Sequence, residues 1–138
     1  WASDQEAFRD HWGSVAATNA DYQRFLSDPV TSDTSLWRIG WDGDQVAGQV
    51  RSYINADENE RLVRRRGYVE FISVRRPWRR RGLARALIAA SIPLLRARGM
   101  TELALGVDTE NLSGALRVYE RCGFRAVNRG TTFRKLID

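Results

Sequence analysis

Arg79, Gly82 and Ala84 fall within "RRRGLA", a stretch that joins the apolar run "YVEFISV" to the helical pattern "LARALIAAS". A helix that starts there offers unpaired N–H groups and a partial positive charge, and the small residues let an anion come close to those amides. The chemistry this spacing allows is the binding of phosphate oxygens. Arg75, Arg76, Arg80, Arg81 and Arg85 add side-chain charge around the turn, and a second arginine cluster covers 64–66. A nucleic acid, an anionic membrane and a phosphorylated cofactor would each answer that charge, so the neighbouring elements decide between them. His11 is the only histidine and Cys122 the only cysteine, which excludes an internal disulfide and a structural zinc site. His11, beside Trp12, reads as a packed or surface residue, and Cys122, by a helix end, as a small apolar filler.

The elements that must position this turn follow from periodicity. "SDQEAFRDHWG" has Ser3 as N-cap, an acidic first turn and Ala7, Phe8 and Trp12 at helical spacing, and it stops at Gly13. "NADYQRFLSDP" repeats the pattern with Tyr22, Phe25 and Leu26 on one side and Pro29 as its end. "SLWRIGW", "DGD" and "QVAGQVRSYI" read as a β-hairpin that turns at Asp42-Gly43, with Trp37 and Trp41 sharing a core face, and "NADENERL" reads as a further turn. In "YVEFISV", Val69 and Phe71 alternate in one phase and Ile72 and Val74 in the other. Either both faces are buried or one extra residue slips the register as a β-bulge, and both readings make this strand central.

Leu83, Ala86, Leu87, Ala90, Leu94 and Leu95 carry a helix towards Gly99, with Pro93 as an irregularity. "TELALGV" is then a strand, "NLSGALRVYERCG" a helix closed by Gly123, and "TTFRKLI" a final strand. The order ααββ followed by βαβαβ specifies an α/β domain with a mixed sheet, in which strands 68–75 and 101–107 run parallel.

Composition sets outer limits. A chain of 138 residues is one domain with a genuine core, and 43% hydrophobic residues place it far from the disordered class. No apolar run approaches the roughly 20 residues of a membrane span, so no membrane partner is expected. The first residues lack the succession of a signal peptide, which makes the cytoplasm the expected location. The net charge of +5 is carried almost wholly by arginine, Lys135 being the sole lysine, so overall charge is weak evidence for nucleic acid.

Arg79-x-x-Gly82-x-Ala84, after a strand that ends in Val74, resembles the Q/R-x-x-G-x-G/A element that wraps the pyrophosphate of coenzyme A in the GNAT N-acetyltransferase superfamily. Asn111, Ala115, Tyr119 and Gly123-Phe124, in that order, resemble the later element of the same family. The likeness covers residues 3–137 and is densest over 68–124. Ala84 stands where a second glycine is commoner, and "FRDHWG" resembles the second half of tandem GNAT proteins, including those similar to mycothiol synthase. The resemblance implies an α/β, GNAT (acyl-CoA N-acyltransferase) fold over 1–138: a mixed, mostly antiparallel sheet with a central parallel βαβ pair and flanking helices. The family's first strand, or a companion domain that carries it, is expected upstream of Trp1.

For chemistry, the resemblance implies an acetyl-CoA-dependent N-acetyltransferase in which an amine attacks the thioester directly in a ternary complex. Ile72 and Val74, with Ser73 between them, would pair with the pantetheine arm through their backbone. Arg79, Arg80, Arg81, Gly82, Leu83, Ala84 and Arg85 would form the pyrophosphate cradle, and Asn111 would support the pantetheine or cap the helix that follows. An alkyl ammonium with a pKa of about 10.4 must lose a proton before it attacks. Glu70 is the expected base, against a cross-strand role beside an arginine such as Arg51; Asp108 and a chain of waters are alternatives. Tyr119 matches the family's acid, against a packed aromatic, and the Val74 N–H is the expected oxyanion donor.

The acceptor, a small amine or peptide amine, is expected near the first two helices. A non-catalytic acyl-CoA-binding half of a tandem GNAT protein is the alternative. A nucleic-acid module built on both arginine clusters leaves the Asn111 to Phe124 element unexplained. The expected partners are therefore acetyl-CoA and the acceptor, with a second copy of the chain or an upstream GNAT domain as protein partner, and no metal.

Overall fold

The computed structural model describes residues 18–107 and 114–137. The helix expected over 3–13, His11, Asp108 and Asn111 lie outside the described residues. Thr18 opens helix α1 (Asn19–Ser27) with a capping box: its hydroxyl accepts from the Asp21 N–H at 3.2 Å, and the Asp21 carboxylate accepts from the Thr18 N–H at 2.8 Å. A 3₁₀ turn over Thr34–Leu36 leads into a hairpin of β1 (Trp37–Asp42) and β2 (Gln45–Tyr53). The connection is Gly43-Asp44, one residue later than expected, because Gly43 is the residue that takes the positive φ of +59°.

"NADENERL", expected to be a turn, holds helix α2 (Ala56–Arg61) instead. Asn55 caps it by accepting from the Glu58 N–H at 3.0 Å, and Asp57 and Glu58 in the first turn with Arg61 in the last complement the helix dipole. Strand β3 (Arg66–Val74), helix α3 (Leu83–Ala97), strand β4 (Glu102–Ala104) and helix α4 (Ala115–Arg121) follow. Gly123, at φ +92°, ends α4 in the left-handed conformation expected there. Pro93 lies on the exposed side of α3, where the loss of one N–H does not end the helix.

The sheet runs in the order β1-β2-β3-β4, antiparallel across its first two junctions and parallel between β3 and β4. This is the mixed, mostly antiparallel sheet expected. Helix α3 crosses β1, β2 and β3 and closes the core, in which Leu36, Val50, Val69, Leu87, Ile88 and Leu95 are buried. Each such side chain contributes about 1.5–3 kcal/mol on leaving water. Ser91, also buried, donates its hydroxyl to the Leu87 carbonyl at 2.9 Å, so the one polar group on that helix face is satisfied.

Two glycines seat α3 on the sheet. Gly40 and Gly48 are direct partners across β1 and β2, and a Cβ on either would come within 3.1 or 3.2 Å of a Leu83 methyl. Leu83 is the first residue of α3, so this bare patch fixes where the helix begins. At Gly48 the added carbon would also lie 2.7 Å from the Ser73 carbonyl oxygen, which as backbone cannot step aside.

Two further expectations fail. Trp37 and Trp41 do not share a core face: the register shifts between Gly40 and Trp41, and Trp41 is 62% exposed. The final strand is absent as well; residues 124–137 form no helix or strand, and Phe133, Leu136 and Ile137 stand exposed. Their spacing of three and then one cannot place all of them on one face of a strand, whose period is two. Among the described residues no helix is long and apolar enough to cross a membrane.

Gly48→Ala should lower folding stability by about 1–3 kcal/mol through overpacking, read from the urea unfolding midpoint. Gly130→Ala, at a glycine with no neighbour within 4 Å of its added carbon, serves as the neutral comparison.

Candidate functional site

The site begins where β3 departs from a regular ladder. Gln49 pairs with Ser73 but Arg51 pairs with Glu70, so Val50 stands opposite two residues, Phe71 and Ile72. Of the two readings of "YVEFISV", the structure takes the β-bulge. Phe71 absorbs the extra residue at φ +50°, a left-handed value that costs a residue with a side chain on the order of 1–2 kcal/mol. Val69 before the bulge and Ile72 after it both pack on the core under α3, while Phe71 turns to α1 and meets the Phe25 ring edge-on at 5.6 Å.

Beyond the bulge the outer edge of β3 is open. Strand β4 pairs with β3 only where Arg66, Gly67 and Tyr68 face Glu102, Leu103 and Ala104, and among the described residues no strand pairs with that edge further along. The Arg75 N–H donates to the Ala47 carbonyl at 2.9 Å, in register with Ser73 opposite Gln49. By the alternation of an antiparallel ladder Ser73 directs its backbone to β2, whereas Ile72 and Val74 direct theirs to the open edge. The Val74 carbonyl accepts from Arg79 Nε at 2.9 Å. Of the three strand residues expected in the site, Ile72 and Val74 are presented at the edge and Ser73, 2% exposed, is not.

The arginine turn is tied to the hairpin. Trp78 Nε1 donates to the Asp42 carboxylate at 2.8 Å, and the Arg75 guanidinium lies 5.1 Å from the Trp78 ring centre while donating to the Val46 carbonyl at 3.2 Å. Arg80 at φ +62° and Gly82 at φ +78° are left-handed on either side of Arg81. An alternation of hand of this kind makes a concave nest of amides that favours anions. The first bond of α3 runs from the Ala86 N–H to the Gly82 carbonyl at 3.0 Å, and Gly82 has no side-chain cap. The amides of Leu83, Ala84 and Arg85 are therefore the orphan donors of a 15-residue helix, at the end that carries about half a positive charge. A Cβ on Gly82 would meet no described residue within 4 Å.

The two arginine clusters are not one basic face. Arg64 pairs with Glu58 at 2.5 Å and Arg66 with Glu102 at 3.1 Å, and Arg75 and Arg79 turn inward to carbonyls; Arg65, Arg76, Arg80, Arg81 and Arg85 are exposed. Within 64–66 only Arg65 is exposed, because α2 brings Glu58 to Arg64 and β4 brings Glu102 to Arg66.

On the α1 face of the sheet a set of phenols and carboxylates appears that the sequence did not disclose. Glu70 accepts a hydrogen bond from the Tyr53 hydroxyl at 3.2 Å. Tyr53 stacks on Tyr68, its cross-strand partner, with ring centres 4.9 Å apart and planes 13° from parallel. Tyr68 donates to the Glu58 carboxylate, which its hydroxyl and Arg64 together hold below the usual carboxylate range. Burial, and then the negative charge of Glu70, push the Tyr53 phenol far up, so it stays a donor at any physiological pH. Arg51, directly across the ladder from Glu70, has its guanidinium 4.2 Å from the Phe25 ring centre and 4.5 Å from that of Phe71.

Tyr119 lies on α4 and packs against the same core cluster as Ile72 and Leu83, with Phe124 edge-on at 6.5 Å. Burial above all, with a smaller effect of Cys122, raises its phenol, which keeps the proton in place at neutral pH. Among the described residues no group of three or more His, Cys, Asp and Glu side chains comes together as a metal site requires.

Residues 2–124 match the model of the family described as Acetyltransferase (GNAT) family. The N-alpha-acetyltransferase 30 of Schizosaccharomyces pombe (strain 972 / ATCC 24843) is 30% identical over 86 residues, 62% of this chain and 55% of that protein, so the chain spans about half the length of this curated relative. Among solved structures, a chain of the NatC complex bound to Gag peptide and CoA superposes with a TM-score of 0.68 at 25% identity, over 91% of this chain and 77% of that one. The aminoglycoside acetyltransferase HMB0005 from an uncultured soil metagenomic sample reaches 0.66 at 23% identity, over 99% of this chain and 87% of that one, a likeness of fold.

The nest yields a stability prediction. Gly82→Asn should be tolerated because asparagine visits the left-handed region, whereas Gly82→Val should cost about 2 kcal/mol or more for a β-branched residue held there. Chemical unfolding of the two variants measures the difference.

Proposed function

The chain belongs to the acetyltransferase (GNAT) family, and from that premise we propose that it transfers the acetyl group of acetyl-CoA to an acceptor amine by direct attack in a ternary complex. The observation that carries the proposal is the continuity of the open edge at Ile72 and Val74 with the nest and orphan amides from Arg80 to Arg85. Coenzyme A has a pantetheine arm with amides and a nucleotide end with phosphates, and a strand edge followed by an anion cradle suits both in that order. The exposed Gly82 and the exposed Arg80, Arg81 and Arg85 side chains support the same placement.

Bound acetyl-CoA supplies the thioester. Glu70, on the strand that ends in the cradle, is the base that removes the amine proton. Its Oε1 is 3.9 Å from where a Cβ on Gly106 would lie, just past the end of β4 at the parting of the two strands. The attacking nitrogen forms its bond to the carbonyl carbon, the carbon–sulfur bond breaks, and the Val74 N–H, free of the β2 ladder, is the donor to the carbonyl oxygen as charge develops there. Tyr119 gives its proton to the departing sulfur. A phenol that burial keeps protonated is suited to that task.

Relatives named as N-alpha-acetyltransferases and neighbours named as aminoglycoside acetyltransferases set the acceptors to try. A thiol-release screen with acetyl-CoA over peptide N-termini, aminoglycosides, polyamines, amino acids and amino sugars should give turnover with at least one class; binding of acetyl-CoA with no turnover across the panel would leave a binding domain in place of an enzyme. With the best acceptor, Tyr119→Phe should lower kcat by about 10²- to 10⁴-fold at little change in acetyl-CoA affinity. A tyrosine that only packs would lose stability and spare the turnover of the folded protein.

A further inference from the structure

We infer that Tyr53 is a positioning residue for the acetyl transfer, which holds one oxygen of Glu70 so that the other faces the parting of β3 and β4; this rests on the reading of Glu70 as the base. A glutamate on a strand has three rotatable side-chain bonds and spreads its carboxylate over several orientations unless something fixes it. The Tyr53 hydroxyl donates to Oε2 at 3.2 Å, while Oε1 is the oxygen nearest Gly106. A single donor on the far oxygen therefore orients the carboxylate and leaves the near oxygen to take the amine proton.

The phenol is itself immobilised. Its ring is stacked on Tyr68 at 4.9 Å and tilted against Phe71 at 6.3 Å, and Tyr68 is in turn pinned by Glu58 and Arg64 from α2 and the loop that follows it. Cross-strand pairing of Tyr53 with Tyr68 and of Arg51 with Glu70 puts Tyr53 and Glu70 one diagonal step apart on the same face, within reach of a long side chain. Phe71, driven to this face by the bulge, packs against the same ring. The Tyr53 hydroxyl donates its hydrogen bond to Glu70 Oε2, so its effect on the reaction passes through Glu70.

That last property gives the test. With the best acceptor from the screen at saturation, kcat and both KM values are compared for the unaltered protein, Tyr53→Phe, Glu70→Gln and the double variant. Tyr53→Phe preserves the ring and its stack, so the thermal midpoint should move little. Its kcat should fall by about 10-fold, the scale of one hydrogen bond to a charged group, with the KM for acetyl-CoA unchanged. In the Glu70→Gln background the same substitution should cost no further rate. An equal loss in both backgrounds would make Tyr53 a residue that acts on packing and overturn the inference, as would an unchanged kcat in Tyr53→Phe beside a reduced one in Glu70→Gln. An unchanged kcat in Glu70→Gln would remove the base and this inference with it.

Discussion

One inserted residue in β3 governs the arrangement around it. Without the bulge opposite Val50, strict alternation from Val69 would put Phe71 on the α3 face and Ile72 and Val74 on the other, exchanging the dry core for the polar face. With it, Val69, Ile72 and Val74 all serve the α3 side, and Glu70 and Phe71 stand next to each other on the α1 side. Bulges also sharpen local twist, and β3 keeps β4 beside it only upstream of this point. The open edge and the packing of Phe71 against Phe25, next to Glu70, are two consequences of one register change.

The second constraint is the glycine pair at Gly40 and Gly48. A helix N-terminus can serve an anion only if it starts at a fixed distance from the strand edge, and Leu83 sets that start by resting on two residues that have no side chain. The same contact spares the Leu83 side chain for the core and leaves its amide facing outward. Trp78 with Asp42, and Arg75 with Val46, then brace the loop from the hairpin side. Charge at the turn is thereby divided: half-buried arginines build the support, and exposed ones stand around the nest.

Much of this was legible in the sequence because the features are local. A 3.6-residue period marks α1 and α3, Gly123 marks the end of α4, and the phase change in "YVEFISV" marks the bulge, although alternation alone could not separate a bulge from a strand buried on both faces. What was not legible depends on register and on distant partners. Tyr53 and Tyr68 meet because β2 and β3 pair in one register out of several, and nothing local announces it. The cap at Asn55 and the acids after it were a helix signal in "NADENERL", masked by a composition that also suits a turn. Gly40 and Gly48 read as ordinary strand glycines until Leu83 is placed on them. The "TTFRKLI" expectation failed because β-prone residues do not make a strand when their apolar positions break the period.

Among the described residues, two of the three left-handed residues that carry a side chain fall at the two ends of the open edge; the third, Val63, lies in the loop after α2. Phe71 precedes Ile72 at φ +50°, and Arg80 and Gly82 follow Val74 at +62° and +78°. A left-handed residue with a side chain persists only where its surroundings leave it no better choice. At Phe71 those surroundings are Phe25, Tyr53 and the Arg51 guanidinium, stacked on one side of the sheet. At Arg80 they are the Arg79 bond to the Val74 carbonyl and the Trp78 clamp just before it. Aromatic packing at one end and hydrogen bonds at the other thus hold the ends of a short open-edged strand segment in conformations it would not choose alone. A relaxed strand would satisfy its edge by pairing with a neighbour; this segment, bent at both ends, has no described strand beside that edge, and its Val74 carbonyl is satisfied by Arg79 instead.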